Sequence, residues 1–418
     1  MMFTQTKNFA RRVGFSVKQT FIALRHPNYR LWFYGQLVSL VGTWMQNTAQ
    51  GFLIYQLTNS PAFLGYVAFA SGLPSWLFTL YGGVIADRIS RRKMIIITQA
   101  SMMILAFIQA ALVFSGLIQP WHILILAFLL GIATAFDAPA RQSFVVELVD
   151  REDLTNAIAL NSTMFNMATV VGPAVAGFAY ALVGPAWCFT INGISFIAVI
   201  TALAMMKLPA WSEKAEPGNI IARINEGLDY MRNSQVIIGI MIMVGIVGAF
   251  GSGVFTLTPA WSVEVLKGDA STNGLMLSAR GLGSMIGGLF IAWLSRYRVR
   301  GKAFAAGSLL LPVVIAGFAI MTNIPFSLVF LCLVGFFFML VINNANALIQ
   351  TAVPDHLRGR VMSIYVLVFF GAQPLGSLLA GELAEKMREP VSVLIFSACL
   401  MVSSVIVFLR IPSLKNLH

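Results

Sequence analysis

Five charged side chains crowd into seven residues of an otherwise oily chain: Asp87, Arg88, Arg91, Arg92 and Lys93. No Asp, Glu, Lys or Arg occurs from Leu31 to Ala86 before them, or from Met94 to Phe136 after them. The chemistry open to such a cluster is electrostatic fastening. A carboxylate near the N-terminus of another helix is stabilised by about 0.3–1 kcal/mol, and more when partly buried, so Asp87 is expected to hold two helices together. Asp137 and Arg141 have the spacing of an ion pair on one helical face. Arg88 or Arg91 are alternative partners for Asp137, and Pro139 stands between the pair as a bend or a stop. Arg280 is a different case, the one charge in the apolar run from Ala270 to Ser295. An arginine at the centre of a membrane helix costs about 2.5–3.5 kcal/mol on insertion scales. It therefore meets a polar or anionic group in a cavity, takes part in gating, or else snorkels outward or bonds neighbouring carbonyls. Thr43, Asn47 and Gln50 recur at helical spacing, as do Asn343, Asn346 and Gln350. An amide in hydrocarbon needs a partner, so both faces are expected to meet a water-filled cavity or another helix.

The elements that must position these residues follow from the apolar runs. Of 418 residues, 58% are hydrophobic and 11% charged, against roughly a quarter charged in soluble domains. Runs of about 18 or more apolar residues read as membrane-spanning helices. Charge-free stretches broken by turn residues, such as Thr58-Asn59-Ser60-Pro61 and Val183-Gly184-Pro185, give six helices, then a polar linker, then six more. The expected architecture is an all-α membrane protein of twelve spans in two pseudo-symmetric six-helix bundles. Residues 1–28 form an N-terminal tail, 29–208 the first bundle, 209–232 a linker, 233–410 the second bundle and 411–418 a C-terminal tail. In the linker, Ile221, Ile224, Leu228 and Met231 share one face of an amphipathic helix, which suits either the membrane interface or solvent. With the N-terminus placed on one side, that side collects all but four of the 28 Lys and Arg, the exceptions being Lys267, Arg280, Lys386 and Arg388. The positive-inside rule makes it the cytoplasmic side, with both termini there. The net charge of +12 is thereby accounted for by topology and calls for no nucleic-acid partner. Two halves of equal span number suggest duplication. Gly82-Gly83 is echoed by Gly287-Gly288, and Gly172-Pro173 by Gln373-Pro374.

Gly83, Asp87, Arg88, Arg91 and Arg92, between the second and third spans, resemble motif A of the major facilitator superfamily, with Ser90 in place of its second glycine. Gly172, Pro173 and Gly177 in the fifth span resemble motif C of its antiporters, with Ala168 and Ala176 where glycine is expected. The segments 28–65, 136–162 and 353–365 are similar to the exporter branch that includes enterobactin exporters and macrolide efflux proteins. The resemblance implies an alternating-access carrier of the drug or siderophore class in a prokaryotic inner membrane. It also implies that the first, fourth, seventh and tenth spans line the cavity, that Asp87 and the neighbouring arginines latch the cytoplasmic face, and that Gly172, Pro173, Gly177 and Pro374 bend or pack helices.

Absences narrow the reading further. No Asp or Glu lies mid-span, so proton coupling rests on the resemblance alone. Cys188, Cys332 and Cys399 match no metal spacing, and no Walker motif appears, so no cofactor is expected. No cluster of His, Asp, Glu or Ser marks an enzyme. The expected partners are an amphipathic small molecule, protons and lipid, with the chain working as a monomer. A lipid or lysophospholipid flippase of the same fold is the alternative, ahead of a polytopic membrane enzyme or a non-transporting scaffold.

Overall fold

Proline punctuates the hairpin turns. A proline at the first or second helical position loses nothing, because its missing N–H would have no intrahelical partner there. Pro61, Pro120, Pro185, Pro325 and Pro390 each sit at such a start. The helices they open are α2 (Pro61–Arg88), α4 (Pro120–Phe144), α6 (Pro185–Met205), α13 (Ile324–Ala352) and α15 (Glu389–Arg410). The helices that lead into them are α1 (Pro27–Thr58), α3 (Arg91–Phe114), α5 (Leu154–Val183), α12 (Arg300–Ala319) and α14 (Asp355–Met387). The remaining elements are the linker helix α7 (Ile220–Arg232), α8 (Gln235–Ile246), α9 (Ser252–Thr256), α10 (Thr258–Glu264) and α11 (Ala270–Leu294). This computed structural model describes residues 20–208, 220–297 and 299–417, with the side chains of 79–88, 220–225, 295 and 416 outside the description. Gly83, Asp87 and Arg88 therefore have a helical backbone in α2, and their side chains lie outside the described residues.

Among the described residues, eleven helical segments are long and apolar enough to cross a membrane. Helix α1 is not among them. Its 32 residues reach about 48 Å, but Gln36, Gln46, Thr48 and Gln50 dilute its apolarity while lying buried in the bundle. The first span of the second half runs from Gln235 to Thr256 as one irregular helix. A π-turn at Val247–Gly251 separates α8 from α9, and Leu257 separates α9 from α10. Pro259 cannot donate to the Phe255 carbonyl, and the Thr258 hydroxyl takes that acceptor at 2.9 Å. Pro139 has the opposite outcome, since α4 runs through it to Phe144.

The two halves repeat one packing scheme. In the first half α2 packs on α4 and α3 on α6; in the second α11 packs on α13 and α12 on α15. Between the halves α2 packs on α14 and α5 on α11, pairs that a two-fold exchange of the halves would interconvert. The outside is apolar, with Ile97, Leu182, Leu289 and Leu409 bare, while Gln46, Gln99, Gln109 and Asn192 are buried. Such an inversion of soluble-protein order fits a bundle whose outer solvent is hydrocarbon, and the chain is a multi-pass membrane protein. The linker helix does not stand free. Leu228 and Met231 pack on the core of the second half, Glu226 pairs with Arg360, and Gly227 lies against Arg360 and Ile364.

Candidate functional site

The turns at Asn59, Gly116, Gly184, Lys267 and Arg388 share one end of the bundle, here the hairpin end; the linker lies at the other. At the hairpin end the halves close on each other. Tyr55 donates to Glu264 at 3.0 Å, Ser60 to Glu385 at 2.7 Å, the Ala62 amide to Glu385 at 3.3 Å, and Tyr66 to Glu382. All four donors belong to the first half and all three carboxylates to the second. One layer deeper the polarity reverses. Ser271 donates to the Gly177 carbonyl at 3.4 Å and Ser278 to the Val170 carbonyl at 2.6 Å. These are the hydrogen bonds between the two bundles among the described residues.

The seam can be this tight because small residues face each other. A Cβ on Gly177 would lie 2.7 Å from the Ala270 oxygen, and one on Gly274 would lie 2.4 Å from the Pro173 oxygen. On the α2–α14 seam, Gly65 and Gly381 meet in the same way. Close backbone approach of this kind is what small residues permit between membrane helices. The motif C-like residues thus divide their work. Gly172 abuts Trp44 of α1, Gly177 faces the opposite half, and Pro173 and Pro374 line the cavity beneath the seam.

That cavity, about 480 Å³, lies between the halves. Its wall takes Asn47 and Gln50 from α1, Ser71 and Ser75 from α2, and Thr134 from α4. The other half contributes Thr256 from α9, Asn273 and Arg280 from α11, and Gln373 and Ser377 from α14. Arg280 stacks over Phe255, its guanidinium carbon 4.5 Å from the ring centroid. The volume is in the range of small-molecule sites, and a mostly apolar wall with a few convergent polar groups is their usual chemistry.

Several sequence expectations fall elsewhere. Thr43 is not in the wall; it donates to the Ser39 carbonyl at 2.9 Å. Asn343, Asn346 and Gln350 are not in the wall either, and α13, the tenth expected span, contributes nothing to it. Distance is the reason. Asn343 lies 19 residues into α13, about 28 Å from the hairpin end, whereas Arg280 is 10 residues into α11, about 15 Å from it. Gln350 donates to Asn346 at 2.5 Å, one turn away.

At the linker end, Asp137 is held by Arg141 at 2.6 Å, and it accepts from Thr98 at 2.8 Å and Gln99 at 3.1 Å. Arg91 does not take Asp137. It pairs with Glu147, in the turn just after α4, because Arg91 opens α3 while Asp137 lies level with Thr98, two turns deeper. Arg92 caps the end of α6 by donating to the Ala204 carbonyl at 2.8 Å. Sequence reasoning missed two groups. One is the amide network of Gln46, Gln109, Asn192 and Ser195 inside the first half. The other is the hydroxyl–carboxylate set at the hairpin end, whose glutamates look like ordinary span-boundary charges.

The model of the transmembrane secretion effector family matches residues 18–417. The chain is 25% identical over 366 residues to the staphyloferrin A transporter of Staphylococcus aureus, covering 85% of this chain and 89% of that one. It is 27% identical over 369 residues to the multidrug efflux pump Tap of Mycolicibacterium fortuitum, covering 84% and 88%. Against macrolide efflux protein A of Streptococcus pyogenes the identity is 22% over 370 residues, covering 87% and 91%. Among solved structures, a variant of the nucleoside transporter NupG superposes with a TM-score of 0.73 at 14% identity, over 92% of this chain and 99% of that one. A bacterial homologue of the lysosomal transporter Spinster, inward-facing and occupied, gives 0.72 at 14% identity, over 94% and 98%. These structural likenesses speak for the fold; the near-complete match to one family model speaks for descent, and the chain belongs to the transmembrane secretion effector family of major facilitator transporters.

Proposed function

We propose that the chain is a secondary active exporter of amphipathic small molecules, of the drug or siderophore class, working by alternating access in a bacterial cytoplasmic membrane. The observation that carries this reading is the cavity between two pseudo-symmetric halves, sealed at one end by contacts that can part. A siderophore transporter and two efflux pumps among the relatives support the cargo class. In this reading there are twelve spans, with α1 as the first and α8 to α10 together as the seventh. The linker end is cytoplasmic, because most of the cations gather there, and the structure then represents the inward-facing state. Each chain encloses a whole cavity, so a monomer suffices. Asp87 latches the cytoplasmic face in the opposite state, where α2 meets the N-terminus of α14; a difference of a few kcal/mol sets such a two-state population. Export is coupled to protons.

Purified protein in proteoliposomes tests this with a siderophore, a macrolide and a cationic dye, each with and without a pH gradient. Gradient-driven accumulation of at least one is expected. No movement of any of them under either condition would sink the exporter reading, and movement indifferent to the gradient would sink the coupling. In the same assay, Asp87→Asn should lower the rate severalfold at unchanged protein level; undiminished flux would remove the latch.

A further inference from the structure

The charge in the cavity wall is uncompensated. Arg280 is the only ionisable side chain among the described residues that line it. No hydrogen bond or ion pair from its guanidinium occurs among the described residues, and its carbon lies over the Phe255 ring, 4.5 Å from the centroid. Stacking occupies the π-face of a guanidinium and leaves its N–H donors free in the plane, the geometry that grips a carboxylate with two parallel bonds. The acids nearest in sequence are engaged elsewhere. Glu264 accepts from Tyr55 at 3.0 Å. Asp269 caps α11, accepting from the Thr272 amide at 3.1 Å and its hydroxyl at 3.3 Å.

A second, independent anomaly lies two turns away on the same helix face. Asn273 is wholly buried in the cavity wall, yet neither its amide nitrogen nor its amide oxygen has a partner. A buried polar group left unpaired costs roughly 1–3 kcal/mol, so an orphaned amide and an orphaned cation on one helix face of the same cavity point to a ligand that satisfies both. Residues seven apart in a helix lie on one face, and Leu277 between them is also in the wall.

We infer that Arg280 and Asn273 form a subsite for one carboxylate, so that the preferred cargo is an amphipath bearing a single carboxylate beside an apolar body. One cation and one amide match one negative charge; a phosphate dianion would leave its second charge without a counter-charge among the described residues of the wall. Phe255, Ile54, Val67 and Phe370 offer apolar surface to the remainder. The inference rests on the cavity being the cargo site proposed above.

The test uses the full-length protein and two fluorescent probes that differ in one group, N-dansyl-leucine and its methyl ester. Binding to detergent-purified protein is read by dansyl fluorescence, and flux is read in proteoliposomes. The acid should bind at least tenfold tighter than the ester. Arg280→Gln should bring the ratio of the two affinities near one, Arg280→Lys should keep part of it, and Asn273→Leu should lower it severalfold. Equal binding of acid and ester to the unmodified protein, binding of neither, or a preference that survives Arg280→Gln would each overturn the subsite. A tenfold acid preference without any flux would support the subsite and count against the exporter reading; flux of both probes without preference would do the reverse.

Discussion

Gly177→Leu should abolish transport and hold the hairpin end open. In the closed seam a single Cβ at this position would already stand 2.7 Å from the Ala270 oxygen, 3.0 Å from the Ser271 Cα and 3.1 Å from the Gly274 Cα. All three are backbone atoms of α11 and have no rotamer through which to step aside. The isobutyl group of leucine can be housed only if α5 and α11 separate, which means that the halves part. Overpacking of a tight contact costs about 1–3 kcal/mol. At the upper end that moves a closed–open equilibrium roughly 100-fold, since each 1.4 kcal/mol is tenfold. Gly288→Leu is the matched control, because a Cβ there meets nothing within 4 Å. With Cys188, Cys332 and Cys399 replaced, spin labels at Ser115 and Thr322, both exposed hairpin-end positions, should report a longer mean separation in Gly177→Leu and an unchanged one in Gly288→Leu. An unaltered distance distribution together with normal flux in Gly177→Leu would refute the seam as the closing contact.

Triple replacement of Glu264, Glu382 and Glu385 by glutamine should shift the same equilibrium towards the open hairpin end, on the order of tenfold. Each carboxylate accepts from a neutral donor of the opposite half, and a hydrogen bond to a charged acceptor is worth more than its neutral counterpart. Partial exposure weakens the difference, so about 0.5 kcal/mol per site is a fair scale. The bonds are directional as well as polar, so Tyr66→Phe and Glu382→Gln should each act alone, while the double variant should do little more than either, as expected of one shared interaction. The readout is the rate at which an impermeant thiol reagent added from the hairpin side modifies Ser71→Cys, a position in the cavity wall. Full additivity of the Tyr66 and Glu382 variants would separate the two residues, and an unchanged rate in the triple variant would deny the carboxylates any hold on the gate.

The helical organisation was legible in the chain because the bilayer constrains it so strongly. Length, apolarity, turn prolines and the distribution of Lys and Arg each report on burial in hydrocarbon, and hydrocarbon tolerates few alternatives to a helix. The Asp137–Arg141 pair was equally legible, being set by helical spacing within one element. Arg280 stood out for the same reason, since a lone charge in an apolar run is costly wherever the helix turns it. The local breaks were harder. The seventh expected span reads as one apolar run, and only the packed structure shows the π-turn at Val247–Gly251 and the interruption at Leu257.

Polar periodicity alone ranked the α13 amides with those of α1. It records which face of a helix is polar but not how far along the bundle a cavity extends, so Asn343, Asn346 and Gln350 were grouped with Asn47 and Gln50 although about 13 Å of helix depth separates Asn343 from the level of Arg280. The hydrogen bonds at the hairpin end were beyond sequence for another reason. Tyr55 and Glu264 are 209 residues apart, Ser60 and Glu385 325, and Tyr66 and Glu382 316. The donors are neutral hydroxyls, invisible to any tally of charge. The chain by itself determined that there are helices, where they stop and which way their charges lean, because those are transactions between each segment and its solvent. Which hydroxyl meets which carboxylate was decided only when the two halves came into register, since a contact across that seam has no counterpart within either half.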